Sequence, residues 1–348
     1  MQIRQNIPLS DLSSYKIGGQ AKFFAKVEDL DGLTDVLKQW NKISEELLQK
    51  EKKILILGGG TNILFEDKGF DGLVILNSIK GITTNNSQSA TNNLKTVSSQ
   101  KSEISSQKLE VTVGSGVLME DLLNFCVQNS LSGLEWAGGL PGTLGGAIRG
   151  NAGAFRGEIK DVIYDVTSLN LCSDVLIHHY NSTSVKKRKN SDCRFGYRTS
   201  IFKDVRKDEI ILEAVLKLKK GQRVDIEKKI NEKINYRRQK HPVEYPNLGS
   251  TFKNIPAEEL PASVREEFKD KIKDDPFPIL PSVKLIAGAG MTNVRVGNIE
   301  VSGKHPNYLV NIGNGKSEDV LALIYKIKSA VRQKYRVELE EEITIVKC

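Results

Sequence analysis

Residues 134–157 read LEWAGGLPGTLGGAIRGNAGAFRG, and eight of these 24 residues are glycines. Glycine loses more conformational freedom on folding than other residues, so a stretch this rich in glycine needs a structural reason. One reason is a backbone with positive φ, and another is close contact with a flat or anionic group. Pro141 to Thr143 is typical of a turn, and the N–H groups of residues 144–148 could form a nest for phosphate oxygens. The alternative is a tight turn between two core segments.

A second glycine cluster lies upstream, directly after the apolar run Ile54 to Leu57. The cluster is Gly58, Gly59, Gly60, Thr61 and Asn62. Glycine-rich turns at strand ends hold phosphorylated cofactors in many proteins with mixed helices and strands. A Rossmann fingerprint does not fit, because Ile63 stands where the third glycine belongs, and no Gly-Lys-Ser/Thr completes a Walker A loop. Together the two clusters indicate a phosphorylated cofactor bound in another way.

The composition is that of a globular protein with a moderate positive charge. The 348 residues include 51 Lys and Arg against 43 Asp and Glu, which gives a net charge of +8. A chain of this length can bury a sizeable core and is expected to form two or three domains. The charge suits anionic ligands, but the basic cluster Lys186 to Lys189 lacks interleaved aromatic residues. We therefore interpret that cluster as a solvated loop and expect no nucleic-acid partner.

Membrane and metal signals are weak in this sequence. No apolar run approaches the roughly 20 residues that cross a bilayer, and Met1 to Arg4 begin no signal peptide. We therefore expect a cytoplasmic protein without membrane insertion. The cysteines at positions 126, 172, 193 and 348 form no CxxC pair, and no histidine stands at ligand spacing. Neither a metal site nor a disulfide framework is predicted.

Apolar spacing predicts helices near residues 30–40, 118–127 and 224–239, and a further helix capped by Ser317. Strand patterns alternate with these helices, including a pair at 162–171 and 174–180. Residues 83–108 differ, because 18 of these 26 residues are Ser, Thr, Asn or Gln. Such a segment buries too little apolar surface to order itself, so we predict a mobile insertion. A second insertion at 256–281 is expected to contain a short helix with Val264, Phe268 and Ile272 as its apolar stripe.

Six segments, taken in order, resemble the UDP-N-acetylenolpyruvoylglucosamine reductase (MurB) family. They are IGG at 17–19, GGGTN at 58–62, GLPGTLGGAIRGNAGA at 139–154, YRTSIF at 197–202, GSTFKN at 249–254 and LEEEITIV at 339–346. Residues 305–331 continue the likeness, which covers nearly the whole chain apart from the two insertions. The chain shows no tyrosine-bearing substrate loop of the type I subgroup, and this favours type II.

The resemblance implies an α+β fold with an FAD-binding half of the PCMH (vanillyl-alcohol oxidase-like) type. Its two subdomains would span residues 1–77 and 78–220, and a C-terminal α+β substrate-binding domain would span 221–336. The last strand, at 337–348, could return to the first subdomain. Family members use NADPH to reduce FAD and then reduce UDP-N-acetylglucosamine enolpyruvate to UDP-N-acetylmuramate for peptidoglycan. The expected partners are therefore the UDP-sugar and NADPH, and the expected state is a monomer.

Three catalytic residues follow from the resemblance: Ser250 as proton donor, Arg198 as the cation on the substrate carboxylate, and Glu342 in the last strand. Elementary chemistry agrees with these roles. Hydride addition to an alkene conjugated with a carboxylate places negative charge on the carboxylate oxygens. A guanidinium can hold that charge through two hydrogen bonds, and a protonated carboxyl group could add another. A hydroxyl group within reach can protonate the strongly basic carbon.

Cofactor and substrate contacts also follow from the resemblance. The implied flavin contacts are Gly58, Gly59, Gly60, Thr61, Asn62, Pro141, Gly142, Thr143, Gly145, Gly146, Ala147, Asn151 and Gly153. The implied substrate contacts are Tyr197, Lys240, Asn254 and His305. Ser14-Tyr15-Lys16 stands where many relatives have Asn-Thr, so flavin contacts in that segment stay open.

Two other functions remain as alternatives. One is an FAD-linked oxidase or dehydrogenase of the same fold that acts on another substrate, since a fold alone does not fix a reaction. The other is a flavin- or nucleotide-binding module without catalysis. Each catalytic candidate also has a plain structural interpretation: a turn serine at Ser250, a salt-bridging arginine at Arg198 and a solvated strand-end charge at Glu342.

Overall fold

The expected mixture of helices and strands is confirmed in the computed structural model, which describes residues 2–47, 53–84, 108–171, 185–206 and 208–347. The chain divides into two units. Unit 1 comprises Met1–Lys26, Asp35–Leu76 and Asn235–Cys348, and unit 2 comprises Val27–Thr34 and Asn77–Ile234. Most of the predicted insertion at 83–108 and the predicted strand at 174–180 lie outside the described residues. The three-part division at 1–77, 78–220 and 221–336 stays a prediction.

The described strands are β1 Arg4–Pro8, β2 Gln20–Val27, β3 Ile54–Leu57, β4 Ile63–Phe65, β5 Phe70–Asn77, β6 Ile82–Thr84, β7 Lys108–Gly114, β8 Leu131–Ser132, β9 Gly153–Ala154, β10 Gly157–Glu158, β11 Ile163–Asn170, β12 Val185–Lys189, β13 Glu209–Lys220, β14 Ile255–Pro256, β15 Lys273–Asp274, β16 Pro278–Leu280, β17 Arg295–Val296, β18 Ile299–Val301, β19 Leu309–Asn311 and β20 Thr344–Val346. The described α-helices are α1 Leu30–Glu46, α2 Met119–Gln128, α3 Leu144–Arg149, α4 Ile201–Asp204, α5 Arg223–Lys240, α6 Ala262–Glu267, α7 Ser282–Gly288 and α8 Ser317–Tyr335.

Unit 1 is built around a four-stranded sheet in the order β1-β2-β5-β3. The strands β3 and β5 run parallel, with Ile56 opposite Ile75. The C-terminal strand β20 pairs in parallel with β4, so Ile345 lies opposite Leu64. This pairing brings the end of the chain beside the glycine cluster at 58–62, because β4 begins directly after Asn62.

The C-terminal part of unit 1 contains two small antiparallel sheets, β14-β16-β15 and β17-β18-β19. Helix α8 buries one apolar face against this part, as its spacing predicts. The buried apolar residues of that face are Val320, Leu323, Ile324, Ile327 and Val331. The short helix expected in the insertion is α6, which contains only Val264 of the predicted stripe. Phe268 and Ile272 follow the helix and are half-buried against the same core.

The N-terminus of α8 is capped differently from the sequence prediction. Ser317 was expected to be the cap, but it is the first helical residue and Lys316 occupies the cap position without a side-chain hydrogen bond. Instead, Asp67 Oδ2 accepts hydrogen bonds from Ser317 N at 2.9 Å and from Ser317 Oγ at 2.8 Å. The prediction of a local cap was wrong because a carboxylate distant in sequence takes that role.

Unit 2 is built on a six-stranded sheet in the order β12-β11-β13-β7-β6, with β8 also pairing with β13. The antiparallel partners β11 and β7 flank the long strand β13. Helix α2 buries Met119, Leu122, Leu123 and Cys126 in the core of this unit. Ile226 and Ile230 of helix α5 join the same core.

Among the described residues, every helix is too short or too polar to cross a bilayer.

The cap of α8 gives the first testable prediction. Substituting Asp67→Ala removes the acceptor for two groups at the helix N-terminus, so the free energy of unfolding should fall by about 1 kcal/mol. Thermal unfolding followed by circular dichroism measures the change. The matched control is Asp71→Ala, whose carboxylate forms an exposed ion pair with Lys22 at 2.8 Å and should change stability by less than about 0.5 kcal/mol. Equal effects of the two substitutions would contradict the capping role.

Candidate functional site

Three distant segments of unit 1 meet at the backbone of Glu342. The Glu342 N–H donates to Thr251 O at 2.8 Å, and its carbonyl oxygen accepts from Asn62 Nδ2 at 3.2 Å. Two residues on, Thr344 N donates to Asn62 O at 2.9 Å. The structure therefore brings together the end of the glycine cluster, the neighbour of Ser250 and the backbone of Glu342.

The segment that carries Ser250 is held on both sides. Thr251 N donates to Asn307 O at 2.8 Å, and Lys253 N donates to Glu340 O at 2.9 Å. Between them, Phe252 is fully buried and forms an isolated antiparallel bridge with Glu341. Ser250 itself remains half-buried, so its backbone is fixed while part of the residue is accessible.

The carboxylates next to Glu342 are paired with lysines. Lys253 Nζ lies 2.5 Å from Glu340 Oε1, and Lys328 Nζ lies 2.8 Å from Glu341 Oε1. Both neighbours therefore have a local ion pair.

The glycine cluster at 58–62 presents backbone donors to its surroundings. Within the described chain, the N–H groups of Gly59, Gly60 and Thr61 donate no hydrogen bond. Gly60 has φ +63°, and a Cβ atom there would lie 1.9 Å from Leu12 O. The loop thus packs against the backbone on one side and leaves successive N–H groups without acceptors among the described residues. This arrangement fits the phosphate oxygens of a dinucleotide cofactor.

The glycine-rich stretch at 134–157, in unit 2, differs from the expected nest. Residues 144–149 form helix α3, with Thr143 as its N-cap. The N–H groups of Leu144, Gly145, Gly146 and Ala147 donate to Val117 O, Ser115 O, Thr143 Oγ1 and Thr143 O at 2.9, 2.8, 3.4 and 2.9 Å, respectively. The prediction that these groups are available to phosphate was therefore wrong, because the chain itself supplies the acceptors. In the described part of the chain, the N–H groups of Gly142 and Thr143 have no such acceptor.

Arg198 lies in a tight turn of unit 2 with φ +57°. The turn is closed by Gly196 N, which donates to Thr199 O at 3.0 Å. The Arg198 guanidinium carbon is 5.2 Å from the centroid of the Tyr197 ring. Only glycine fits at position 153, because a Cβ there would be 2.7 Å from Glu158 Cγ and 3.3 Å from Arg198 Nη1. Tyr197, Arg198 and Gly153 are thus neighbours, as residues of one site should be.

Asn151 is completely buried beside this turn. Its Nδ2 donates to Glu158 Oε1 at 2.9 Å and to Gly196 O at 2.8 Å, while its Oδ1 accepts from Lys160 N at 3.3 Å. The structure therefore gives the Asn151 side chain a role in positioning the turn that carries Arg198.

The other predicted substrate residues lie in unit 1. Lys240 is exposed at the end of helix α5. Asn254 Oδ1 accepts from Ser282 N at 3.2 Å, at the start of α7. His305 is half-buried in a cluster of rings that sequence reasoning missed. No group of His, Cys, Asp or Glu side chains in the described ranges could hold a metal ion.

The ring cluster contains His241, His305 and Tyr308. His241 Nδ1 lies 3.0 Å from the Tyr308 hydroxyl oxygen, and the His305 ring centroid is 5.3 Å from that of His241 and 4.8 Å from that of Tyr308. In the sequence, His241 lies just beyond the predicted helix at 224–239, and Tyr308 lies within the family-like segment 305–331. The only sequence signal for this cluster was that two substrate candidates, Lys240 and His305, stand next to or within it.

Burial dominates the electrostatics of this cluster. It lowers the pKa of both His241 and His305 to about 4, and in His241 the neighbouring His305 adds to the effect. Burial also raises the pKa of Tyr308 to about 12; Arg237 opposes that rise, and the Glu342 carboxylate adds to it. The cluster is therefore neutral near pH 7.

Two protein-family models match this chain and define its class. The family model described as "FAD binding domain" matches residues 37–171. The family model described as "UDP-N-acetylenolpyruvoylglucosamine reductase, C-terminal domain" matches residues 241–346. The chain is thus a flavoprotein that binds FAD and carries a second domain of a specific reductase type.

The relatives give the family. The UDP-N-acetylenolpyruvoylglucosamine reductase of Caldanaerobacter subterraneus subsp. tengcongensis is 32% identical over 98% of this chain and 92% of its own length. That of Caldicellulosiruptor saccharolyticus is 33% identical over 97% of this chain and 90% of its own length. The crystal structure of MurB from Thermus caldophilus has a TM-score of 0.69 at 23% identity, covers all of both chains and shows the same fold. The chain belongs to the UDP-N-acetylenolpyruvoylglucosamine reductase family; the type II assignment stays a prediction.

The loop at 58–62 gives the second prediction. The substitution Gly60→Ala should weaken FAD binding at least about tenfold, since a strain of about 1–3 kcal/mol would move the donors. Titration of apoprotein with FAD, followed by flavin fluorescence, measures the Kd. The matched control is Gly290→Ala, which has a similar φ of +75° but no atom within 4 Å of the added carbon. An unchanged Kd in Gly60→Ala would exclude this loop from cofactor binding.

The ring cluster gives the third prediction. Because the folded pKa of each histidine lies near 4 and the ordinary value is 6.5, the unfolded chain binds more protons between these values. The free energy of unfolding should therefore fall as the pH is lowered from 6.5 towards 4. Urea unfolding across this range measures the slope. The double variant His241→Gln, His305→Gln should show a smaller slope, and an identical slope would contradict the buried neutral state.

Proposed function

We propose that this protein reduces UDP-N-acetylglucosamine enolpyruvate to UDP-N-acetylmuramate with NADPH, through bound FAD, in peptidoglycan precursor synthesis. Family membership supports the reaction. The observation that carries the proposal is the hydrogen-bonded junction in unit 1, where Asn62, Thr251 and Glu342 meet. It joins a loop suited to the cofactor to two segments suited to the chemistry. A monomeric state and a cytoplasmic location stay predictions from the sequence.

FAD, when bound, takes a hydride from NADPH and supplies it to the enolpyruvyl double bond. We assign its pyrophosphate to the N–H groups of Gly59, Gly60 and Thr61, since these donors have no acceptor in the described chain. The N–H groups of Gly142 and Thr143 are further candidates for the same reason. The glycine at position 153 keeps side-chain atoms away from Arg198.

Ser250 is proposed to donate the proton that completes the reduction. Hydride arrival at the double bond makes the carbon next to the carboxylate strongly basic. A hydroxyl group can protonate such a carbon without prior activation, provided that it is held within reach. The fixed backbone on both sides of Ser250 and the accessibility of the residue support this role.

Arg198 and Glu342 are proposed to act on the carboxylate of the enolpyruvyl group. Negative charge collects on its oxygens during the reaction, and a guanidinium stabilises that charge through paired hydrogen bonds. A Glu342 carboxyl group that carries a proton could donate a further hydrogen bond. The family resemblance selects Glu342 among the three adjacent carboxylates.

Substrate binding is proposed for Tyr197, Lys240, Asn254 and His305. The exposed cation at Lys240 suits the phosphates of a UDP-sugar. His305 would contact the substrate as a neutral ring, because burial lowers its pKa to about 4. An oxidase of the same fold would not need Arg198, Ser250 and Glu342 together. A flavin-binding module without catalysis would not have its flavin reduced by NADPH.

A direct experiment tests the proposal. The purified protein should show a flavin absorption spectrum, lose its yellow colour on anaerobic addition of NADPH and regain it on addition of UDP-N-acetylglucosamine enolpyruvate. Bound flavin that NADPH does not reduce would indicate a binding module. Reduced flavin that only oxygen reoxidises would indicate an oxidase.

The role of Ser250 gives the fourth prediction. The substitution Ser250→Ala should leave flavin reduction by NADPH nearly intact and slow reoxidation by the enolpyruvyl sugar at least about 10²-fold, the lower range for acid catalysis. Stopped-flow absorbance of the flavin measures both half-reactions in one sample, so the reduction step serves as the control. Equal losses in both steps would remove Ser250 from this role.

A further inference from the structure

Ser14 connects the cofactor loop with the turn that precedes Ser250. Its N–H donates to Gly60 O at 3.0 Å. Its hydroxyl lies 2.8 Å from Asn247 O and 3.4 Å from Gly60 O. A hydroxyl has one proton to donate, and the shorter distance assigns that proton to Asn247 O. One residue thus binds two loops that are far apart in the sequence, and both loops belong to unit 1.

The residues on either side hold Ser14 in place. Ser13 and Tyr15 are 2% and 1% exposed, and Tyr15 N donates to Ser13 Oγ at 3.2 Å. Asn311 Nδ2 donates to Tyr15 O at 3.0 Å, while Asn311 N donates to Pro246 O at 3.0 Å. The backbone around Ser14 is therefore anchored in the core, and this anchoring restricts the position of the Ser14 hydroxyl.

The turn that receives this hydrogen bond controls the direction of the Ser250 segment. Asn247 Oδ1 accepts from Gly249 N at 2.9 Å. Gly249 has φ +80°, a conformation in which the chain reverses sharply. A rotation of the Asn247 peptide would change this turn, and Ser250 is the next residue after Gly249. The position of the Ser250 hydroxyl is hence sensitive to the contact at Asn247 O.

We propose that Ser14 is a positioning residue that sets the place of the proton donor Ser250 relative to the cofactor loop. This inference rests on the proposed function. Ser14 acts on the two loops through different groups. Its backbone N–H holds the cofactor loop at Gly60, and its hydroxyl holds the turn at Asn247. Loss of the hydroxyl should therefore loosen the turn and leave the cofactor loop in place.

The variants are Ser14→Ala, which removes the hydroxyl, and Ser14→Thr, which retains it. Ser14→Cys serves as a second variant that keeps the volume but donates weakly, should Ser14→Ala not fold. The matched control is Ser44→Ala. Ser44 is 1% exposed and its hydroxyl donates to Asn41 O at 2.9 Å, so this control loses a comparable bond on helix α1.

Hydrogen exchange gives a readout that does not depend on activity. In Ser14→Ala, amide exchange should accelerate in a peptide covering residues 245–252 and stay unchanged in one covering 54–62. The Kd for FAD should change by less than about threefold, a shift of about 0.7 kcal/mol. Ser44→Ala should leave both peptides unchanged.

Half-reaction kinetics give the functional readout. Reoxidation by the enolpyruvyl sugar should slow by about tenfold in Ser14→Ala, because small displacements of a reacting group lower rates strongly. Flavin reduction by NADPH should stay within about twofold, and Ser14→Thr should recover most of the reoxidation rate. In Ser14→Ala, proton transfer should limit the rate of reoxidation to a greater extent than in the wild type. The solvent isotope effect on reoxidation should therefore be larger in the variant.

Two failures can be told apart. If the wild-type protein does not transfer electrons to the enolpyruvyl sugar, the proposed function is wrong. If the wild type does so and Ser14→Ala matches Ser44→Ala in reoxidation and in exchange at 245–252, the positioning role is wrong. A large loss of FAD affinity in Ser14→Ala would also overturn it, since it would place the hydroxyl's effect on the cofactor loop.

Discussion

The hydrogen bonds at the backbone of Glu342 are the constraint on which the unit 1 part of the site depends. The N–H and C=O of one residue point to different segments, one ending the glycine cluster and one carrying Ser250. The Glu342 carbonyl accepts from the side-chain amide of Asn62, whereas the bonds from Glu342 N to Thr251 O and from Thr344 N to Asn62 O join backbone to backbone. The two backbone bonds are insensitive to side-chain rotation. They can therefore hold reactive groups to the tolerance of a few tenths of an ångström that catalysis requires. The parallel pairing of β20 with β4 continues the same alignment along the sheet.

The glycines fall into two groups according to why glycine is needed at the position. Some fit against the protein itself: a Cβ at Gly157 would lie 2.4 Å from the Trp136 ring, and one at Gly138 would lie 2.5 Å from Ile230 O. Gly60 also approaches the backbone closely, yet its loop keeps N–H groups that have no acceptor in the part of the chain that the structure describes. Glycine density alone does not separate these cases. The distinction comes from where each backbone N–H finds its acceptor.

Much of the architecture could be predicted from periodicity and motif order. The helical spacing of residues 224–239 matches α5, and the apolar face of α8 is the predicted one. The cap of α8 and the acceptors for helix α3 could not be predicted, because both depend on residues brought close only by folding. The cluster of His241, His305 and Tyr308 was missed for the same reason, since His241 follows helix α5 while His305 and Tyr308 lie on the loop before β19, far away in the sequence.

The central claim is that bare N–H groups next to the Glu342 junction hold the cofactor. A crystal structure of the protein with FAD tests it most directly. The account predicts pyrophosphate oxygens within about 2.7–3.2 Å of the backbone nitrogens of Gly59, Gly60 and Thr61. A pyrophosphate bound elsewhere, with those three nitrogens facing only water, would contradict the account.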